Sequence, residues 1–252
     1  MTITREHSDA SGTEPGIYTM ETRVRYSECA SSGRAGLSGI LDYLQDTCTF
    51  QAEELSVGVG YMKEHQTAWV LNSWQAEIRR YPVFGEKIKI STWPYDFNGF
   101  LGFRNFKIEN SQAETLVRAG SVWVFMDMHK KRPVRISEEV AAAYQVCPRL
   151  EMEYMDRKIP DFEGKAAESA YEIPRHFIDT NRHVNNSKYI LLAEELLPED
   201  FKAVRMRAEY RKSAVYGDCL QPYIMQRQDF YAVRFEDQNK NPCAVVEFYG
   251  GS

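Results

Sequence analysis

The segment Asp179–Tyr189, DTNRHVNNSKY, gathers Asp179, Asn181, His183, Asn185 and Asn186 into eight positions, just before a helical pattern. If it is extended, the period of two sets Asp179, Asn181 and His183 on one side. A carboxylate beside an imidazole can fix its tautomer, raise its basicity or share in activating a water. An asparagine amide can orient that water or a carbonyl. The helix N-terminus near Asn185 and Asn186 adds unpaired N–H groups and partial positive charge, suited to a developing oxyanion. Together these are the parts for attack of water on an acyl carbonyl, with either Asp179 or His183 as the base. The plainer reading is a capped helix start: Asp and Asn satisfy free backbone amides at turns and N-caps. A lone histidine such as His183 is more often a surface or hydrogen-bonded core residue than a catalyst.

The elements that must position this cluster repeat. QAEIRRYPVFGEKI, from Gln75, matches RAEYRKSAVYGDCL, from Arg207, with Ala76/Ala208, Glu77/Glu209, Arg79/Arg211, Val83/Val215 and Gly85/Gly217 coinciding at a spacing of 132 residues. Upstream, VRYSECASSGRAGLSGILDYLQD, from Val24, lies against PRHFIDTNRHVNNSKYILLAEEL, from Pro174, at a spacing of 150. On that register Cys29, Ser31 and Gly33 stand opposite Asp179, Asn181 and His183, so the scaffold repeats and the acid–base groups do not. The surplus first-half residues, TCTFQAEELSVGVGYMKEH, fall between helix and following strand.

Alternation from Tyr18 to Tyr26 predicts a strand, and the apolar stripe over Gly39–Leu55 predicts a helix. Trp69–Tyr81, Lys87–Trp93, Phe100–Glu109 and Thr115–Met128 read as strands separated by turn residues. In the second half Tyr189–Leu197 is the predicted helix, stopped by Pro198, with strands over Ala203–Lys212, Cys219–Gln228, Phe230–Glu236 and Ala244–Tyr249. Between the halves a charged, Pro-containing stretch holds a short helix at Ser137–Tyr144, where Ser137 can cap and Glu138 and Glu139 favour the N-terminus. One helix followed by an antiparallel sheet, done twice, is an α+β layer architecture.

At 252 residues, 43% of them hydrophobic, the chain can bury a large core without disulfides or metals. A net charge of −5 argues against general binding to nucleic acid or acidic membranes. The five cysteines are scattered and never spaced C-x-x-C, which fits a reducing cytoplasm rather than a disulfide framework or zinc site. The histidines are too far apart for metal-ligand spacing, and no glycine-rich phosphate loop appears. Residues 1–16 read as a polar, disordered leader without signal or transit character, and no stretch is apolar enough to span a bilayer.

IDTNRHVNNSKYI resembles the D-x-N-x-H-V-N-N-x-K-Y segment of acyl-acyl-carrier-protein thioesterases, the bacterial relatives of the plant fatty-acyl thioesterases. RYSECASSGRAGLSGILDYLQD, AGSVWVFMDMHKKRPVRI and AEYRKSAVYGD are similar to further segments of that family, so the resemblance covers nearly the whole chain after the leader. It implies a tandem (double) hotdog, each long helix wrapped by an antiparallel sheet: a first hotdog over 17–128 that binds the acyl chain, a linker with a short helix over 129–170, and a catalytic second hotdog over 171–252. It implies, without a cofactor, hydrolysis of fatty acyl thioesters on acyl carrier protein, ending chain elongation. The family's catalytic aspartate, asparagine and histidine match Asp179, Asn181 and His183. Where plant enzymes carry a Glu-Cys pair, this chain has Ser213 and Ala214. A thiol nucleophile there is excluded, and Ser213 can at most orient a water.

Three rival readings share the scaffold: an acyl-CoA thioesterase, a non-catalytic acyl- or carrier-binding module, and a dehydratase. The aromatics Trp69, Trp74, Trp93, Phe97, Phe100 and Phe103 cluster in the first half, as a slot for a fatty tail would require, although strand aromatics are usually core. An acidic carrier protein needs a basic docking surface, for which His129–Arg135 and Arg205–Lys212 are the candidates. A homodimer is compatible with the sequence, and one chain already supplies two hotdog units.

Overall fold

The computed structural model describes residues 15–251. The expected leader therefore lies, apart from Pro15 and Gly16, outside the described residues. Strand β1 (Tyr18–Arg23) leads through a 3-10 turn at Tyr26–Glu28 into the long helix α1 (Leu37–Glu54) and the short α2 (Val59–Glu64). Strands β2 (Thr67–Ile78), β3 (Lys87–Asn98), β4 (Leu101–Asn110), β5 (Thr115–Asp127) and β6 (Arg132–Pro133) follow, then helix α3 (Glu138–Ala143). The second half comprises β7 (Lys165–Ala166), β8 (Tyr171–Glu172), a 3-10 turn at Arg175–Phe177, α4 (Asn186–Glu194), β9 (Ala203–Tyr210), β10 (Cys219–Arg227), β11 (Phe230–Glu236) and β12 (Pro242–Gly250).

The twelve strands of the described residues form one sheet, ordered β1-β3-β4-β5-β2-β9-β12-β11-β10-β7, with β6 on β5 and β8 on β10. The two halves read outward from the β2–β9 seam in the same sequence of elements. That seam is antiparallel, and Gln75 stands opposite Arg207, two residues related by the 132-residue repeat. A local two-fold axis therefore passes between them. This is the tandem hotdog: the sheet curls round α1 in one half and α4 in the other.

Helix α1 forms because Leu37, Ile40, Leu41, Leu44, Thr47, Cys48 and Gln51 recur every three or four positions and are all buried. They join β-strand residues such as Ile88, Ile90, Phe106 and Ile108, and α4 residues Tyr189, Ile190 and Ala193, in one core that spans both halves. A second apolar cluster, Val57, Met62, Phe125, Ile136, Val140 and Tyr144, with Trp69 and Phe97 against it, closes the far end of the first half. Helix α4 begins three residues earlier than expected, because Asn185 caps it: its Oδ1 accepts from Ser187 N at 3.0 Å. The helix also stops at Glu194 rather than Leu197, and the chain goes on in tighter turns such as Leu196 N to Ala193 O. Ser137 caps α3 as expected, accepting from Val140 N at 3.3 Å.

The segment between the halves lies along the outer face of the sheet, and polar side chains of the strands hold its backbone. Gln75 bonds Glu153 O and accepts from Met155 N at 2.9 Å, in the manner of a neighbouring strand. Asn105 accepts from Leu150 N, Glu209 from Ile159 N, and Arg207 donates to Asp156 O and Lys158 O. These contacts explain why Gln75, Asn105, Arg207 and Glu209 are buried.

Candidate active site

The segment carrying Asp179, Asn181 and His183 is not extended, which corrects the reading of one shared side from a period of two. It is a tight loop closed by an Ile178–Val184 bridge, with Asp179 N donating to His183 O at 2.8 Å and Arg182 N to Asp179 O at 3.0 Å. Arg182 takes φ 63° at the turn. The reason is local: Asp179 Oδ1 accepts from the backbone amides of Asn181 at 2.8 Å and His183 at 3.1 Å, an Asx-type turn that competes with strand geometry. The carboxylate thus shapes the loop through one oxygen. Among the described residues, neither the exposed Asn181 side chain nor the half-buried His183 imidazole hydrogen-bonds to protein.

The loop feeds straight into α4: Asn185 N donates to Phe177 O at 2.8 Å, and the helix starts at Asn186. Helix α1 packs alongside. Gln45 Oε1 accepts from Asn186 Nδ2 at 3.4 Å, Lys188 Nζ lies 3.9 Å from Asp42 Oδ2, and Tyr210 OH donates to Asn186 O at 3.0 Å. Asp46, on the same helix, has its carboxyl raised by burial and by neighbouring Asp42. At the other end of the pair, Glu194 reaches the first turn of α1 and accepts from Leu37 N at 3.3 Å and Ser38 N at 3.4 Å. Burial pushes its carboxyl up to about 7, against the opposing pull of those two amides. Gln45 and Glu194 are residues the sequence reading missed. They occupy matching places, each touching the N-terminus of the other half's helix.

The motif YRKSA borders the loop. Val184 N donates to Ala214 O at 2.9 Å, and Ala214 N donates to Tyr189 OH at 3.1 Å. Ala214 is fully buried and Ser213 exposed. Lys212 is paired with Asp237 Oδ2 at 2.5 Å. The segment therefore lies beside the catalytic candidates, although the site is 30 residues removed in sequence from His183 at Ser213.

The first half contains the same loop without the chemistry. Cys29–Ala35 is its bridge, Ala30 N donates to Arg34 O, and Gly33, with φ 70°, sits where Arg182 does. This fixes the spacing at 149 residues rather than the 150 expected, so the counterparts of Asp179, Asn181 and His183 are Ala30, Ser32 and Arg34. The one-residue slip arose because the two loops share few identities. The asymmetry itself stands, since the corrected trio has neither carboxylate nor imidazole.

Inside the first half the α1-facing surface changes character partway along. Arg104, on β4, is buried with its guanidinium against Gln51 Oε1 and 3.1 Å from Thr92 Oγ1, and 5.3 Å over the Tyr144 ring. Among the described residues no carboxylate pairs with it. The aromatics expected to line a tail slot divide. Trp74 packs on Phe106, and Trp69 and Phe97 join the far apolar cluster. Trp93 bonds Pro148 O of the linker, Phe103 packs on Tyr95, and Phe100 is exposed.

A 260 Å³ cavity lies between linker and sheet, lined by Gln75, Tyr95, Phe103, Arg149 and Tyr154 among others; Asp179, Asn181 and His183 are not in its wall. Among the described residues no group of His, Cys, Asp or Glu is placed to hold a metal, no disulfide joins the cysteines, and no helix is long and apolar enough to cross a membrane.

Comparison with known proteins agrees with this architecture. The family model for the acyl-ACP thioesterase N-terminal domain matches residues 15–144, and that for the acyl-ACP thioesterase C-terminal domain matches residues 162–247. An acyl-[acyl-carrier-protein] hydrolase, chloroplastic, of Cuphea viscosissima is 28% identical over 214 residues, 78% of this chain and 52% of that protein. An oleoyl-acyl carrier protein thioesterase, chloroplastic, of Arabidopsis thaliana is 31% identical over 207 residues, 75% of this chain and 57% of that protein. The chain thus spans about half the length of these curated relatives. Among solved structures, an acyl-ACP thioesterase from Bacteroides thetaiotaomicron superposes with a TM-score of 0.85 at 19% identity, covering 94% of this chain and 98% of the other. The 12:0-ACP thioesterase from Umbellularia californica gives 0.82 at 18% identity, covering 95% and 98%. At these identities the structures speak for the fold, and the family models speak for descent. Matched over more than half its length by the first of them alone, the chain belongs to the acyl-ACP thioesterase family.

Proposed function

We propose that this chain hydrolyses fatty acyl thioesters of acyl carrier protein, releasing free fatty acid and ending elongation, in the cytoplasm. The observation that carries the reading is the loop at the start of α4. The Asx turn of Asp179 holds it, while the side chains of Asn181 and His183 make no hydrogen bond among the described residues and stand beside a helix N-terminus. His183 takes a proton from water as the water oxygen bonds to the thioester carbonyl carbon, with the Asn181 amide orienting the water. Negative charge on the carbonyl oxygen is met by the positive end of the α4 dipole. Collapse breaks the C–S bond, and His183 returns its proton to the leaving thiolate. Asp179 sets the loop geometry and lends negative charge near the imidazole. With alanine at position 214 there is no thiol to acylate, so water attacks directly. Ser213 is exposed and at most orients that water.

The first half is read as the holder of the acyl tail. The tail runs between α1 and the sheet, and the buried Arg104–Gln51–Thr92 group is the polar floor that limits its length. Replacement of the family's Glu-Cys pair by Ser213-Ala214 favours one second reading, a module that binds acyl carriers without turnover. Steady-state hydrolysis of the same acyl group on carrier protein and on CoA tests the proposal. Higher kcat/KM on the carrier supports it, equal or higher values on CoA assign the chain to acyl-CoA, and binding without release supports the module.

A further inference from the structure

The two basic runs of the sequence have different fates in the fold. Arg205 is paired with Glu77 and Glu153, Arg207 with Glu247 and two linker carbonyls, and Arg211 with Glu209 and Asp161. These cations hold the linker to the sheet, so this run is removed as a docking surface. The run His129–Arg135 is instead the exposed turn from β5 to β6. Asp127 Oδ1 accepts from His129 N at 3.0 Å and Lys130 N at 2.8 Å, and Lys131 takes φ 51°, which makes the turn compact. Asp127 also lies 3.4 Å from Lys130 Nζ. Lys131, Arg132 and Arg135 are exposed, and among the described residues no carboxylate is within ion-pair distance of them.

Two further elements meet this corner. Met128 N donates to Gln66 O and Gln66 N to Lys63 O, which brings the exposed Lys63 at the end of α2 alongside. Phe125 N donates to Phe100 O, so Phe100, 42% exposed, lies beside the end of β5, which Met128, also 42% exposed, follows. The nearby acids are Glu64 on α2 and Glu138 and Glu139 at the start of α3.

The corner stands at the same end of the sheet as the catalytic loop. Strand β9 runs antiparallel to β2 with Glu209 opposite Ser73, so Tyr210 and the Ala214 contact to Val184 lie toward the N-terminal end of β2. Thr67 begins β2 there, opposite Asp127. The five residues from Asn72 back to Thr67 span about 17 Å at ~3.4 Å per residue. A thioester on a long flexible arm calls for this layout, with the protein–protein contact set back from the reacting carbonyl.

We propose that the corner of Lys63, Lys131, Arg132 and Arg135, with Phe100 and Met128, docks the acidic carrier protein. The inference rests on the function proposed above. Complementary charge steers the encounter and sets affinity, and the exposed aromatic and thioether supply the desolvated centre. The test uses the full chain with Lys131, Arg132 and Arg135 all changed to Glu, and two substrates bearing one acyl group: the carrier thioester and a neutral pantetheine thioester. The expected result is a rise of at least about tenfold in KM for the carrier thioester, loss of the wild-type salt dependence of kcat/KM, and unchanged kinetics on pantetheine. A control, Arg23→Glu with Lys87→Glu on the paired exposed positions of β1 and β3, leaves both substrates unaffected. An unchanged KM for the carrier, an equal loss on both substrates, or an equal effect from the control overturns the docking assignment. A wild type inactive on both thioesters is the separate failure of the hydrolase reading itself.

Discussion

Replacing Glu194 by Gln is expected to stabilise the protein at alkaline pH and not at acid pH. Glu194 is buried against the first turn of α1, and its carboxyl is raised from 4.5 to about 7, chiefly by burial. Between those values the folded chain holds a proton that the unfolded chain has released. Stability therefore falls as pH rises through this window and levels off above it. At ~1.4 kcal/mol per unit, the full shift corresponds to about 3 kcal/mol. The positive end of α1 opposes the shift, so this value is a ceiling. Gln has one acceptor where the carboxylate has two, and it forfeits the contact to Leu37 N or Ser38 N, worth about 1 kcal/mol. The net expectation is a gain of about 2 kcal/mol at pH 8 and little change at pH 5, where the protonated carboxyl, like the amide, offers one carbonyl acceptor. The other half of the fold already carries Gln45 at the matching position, so the amide fits there. Urea midpoints of both proteins at pH 5, 6, 7 and 8 provide the assay. A difference between them that stays constant with pH would refute the buried, ionising carboxyl.

Three further outcomes follow from the structure. Asp179→Asn keeps the acceptor of the Asx turn, so its loss in kcat should fall well short of the roughly 10²–10⁴-fold expected for removing a general base, whereas Asp179→Ala should lose the turn and most activity; an Asn variant as inactive as Ala would make Asp179 the base. Arg104→Leu should shift released fatty acids toward longer chains, read by gas chromatography, and an unchanged profile would remove Arg104 from the floor of the slot. Gln75→Ala should destabilise by about 1–3 kcal/mol and speed proteolysis within residues 149–163, because Met155 N and Glu153 O lose their partner; unchanged cleavage would show that the linker is held elsewhere.

Much of the fold was legible because the repeat is written in turn chemistry. Val83 N and Val215 N each donate to the side chain three residues on, Glu86 and Asp218, and Gly85 and Gly217 both have positive φ, at 78° and 82°. Such constraints leave identical residues, so the 132-residue spacing came out correctly. The loop at Asp179 shares only backbone bonds with its first-half counterpart, which many sequences satisfy, and its register was read one residue off. The proposed trio was visible as types and spacing, but its shape was not, since an Asx turn and an alternating strand both place Asp, Asn and His at every second position. The linker's path was illegible: its backbone is satisfied by Gln75, Asn105, Arg207 and Glu209 on distant strands, and no local periodicity encodes that. Nor could Arg205–Lys212 be recognised as internal clamps before their carboxylate and carbonyl partners were known.

The central claim is that His183, freed by the Asp179 turn at the start of α4, drives hydrolysis of an acyl-carrier thioester. The most direct measurement is release of free fatty acid from carrier thioesters of C8 to C18 by the wild type and by His183→Ala, with folding of both checked by thermal unfolding. The account predicts release by the wild type that falls at least roughly 10²-fold in the variant across the panel. Equal release by a folded His183→Ala protein, or no release from any chain length by the wild type, would contradict it.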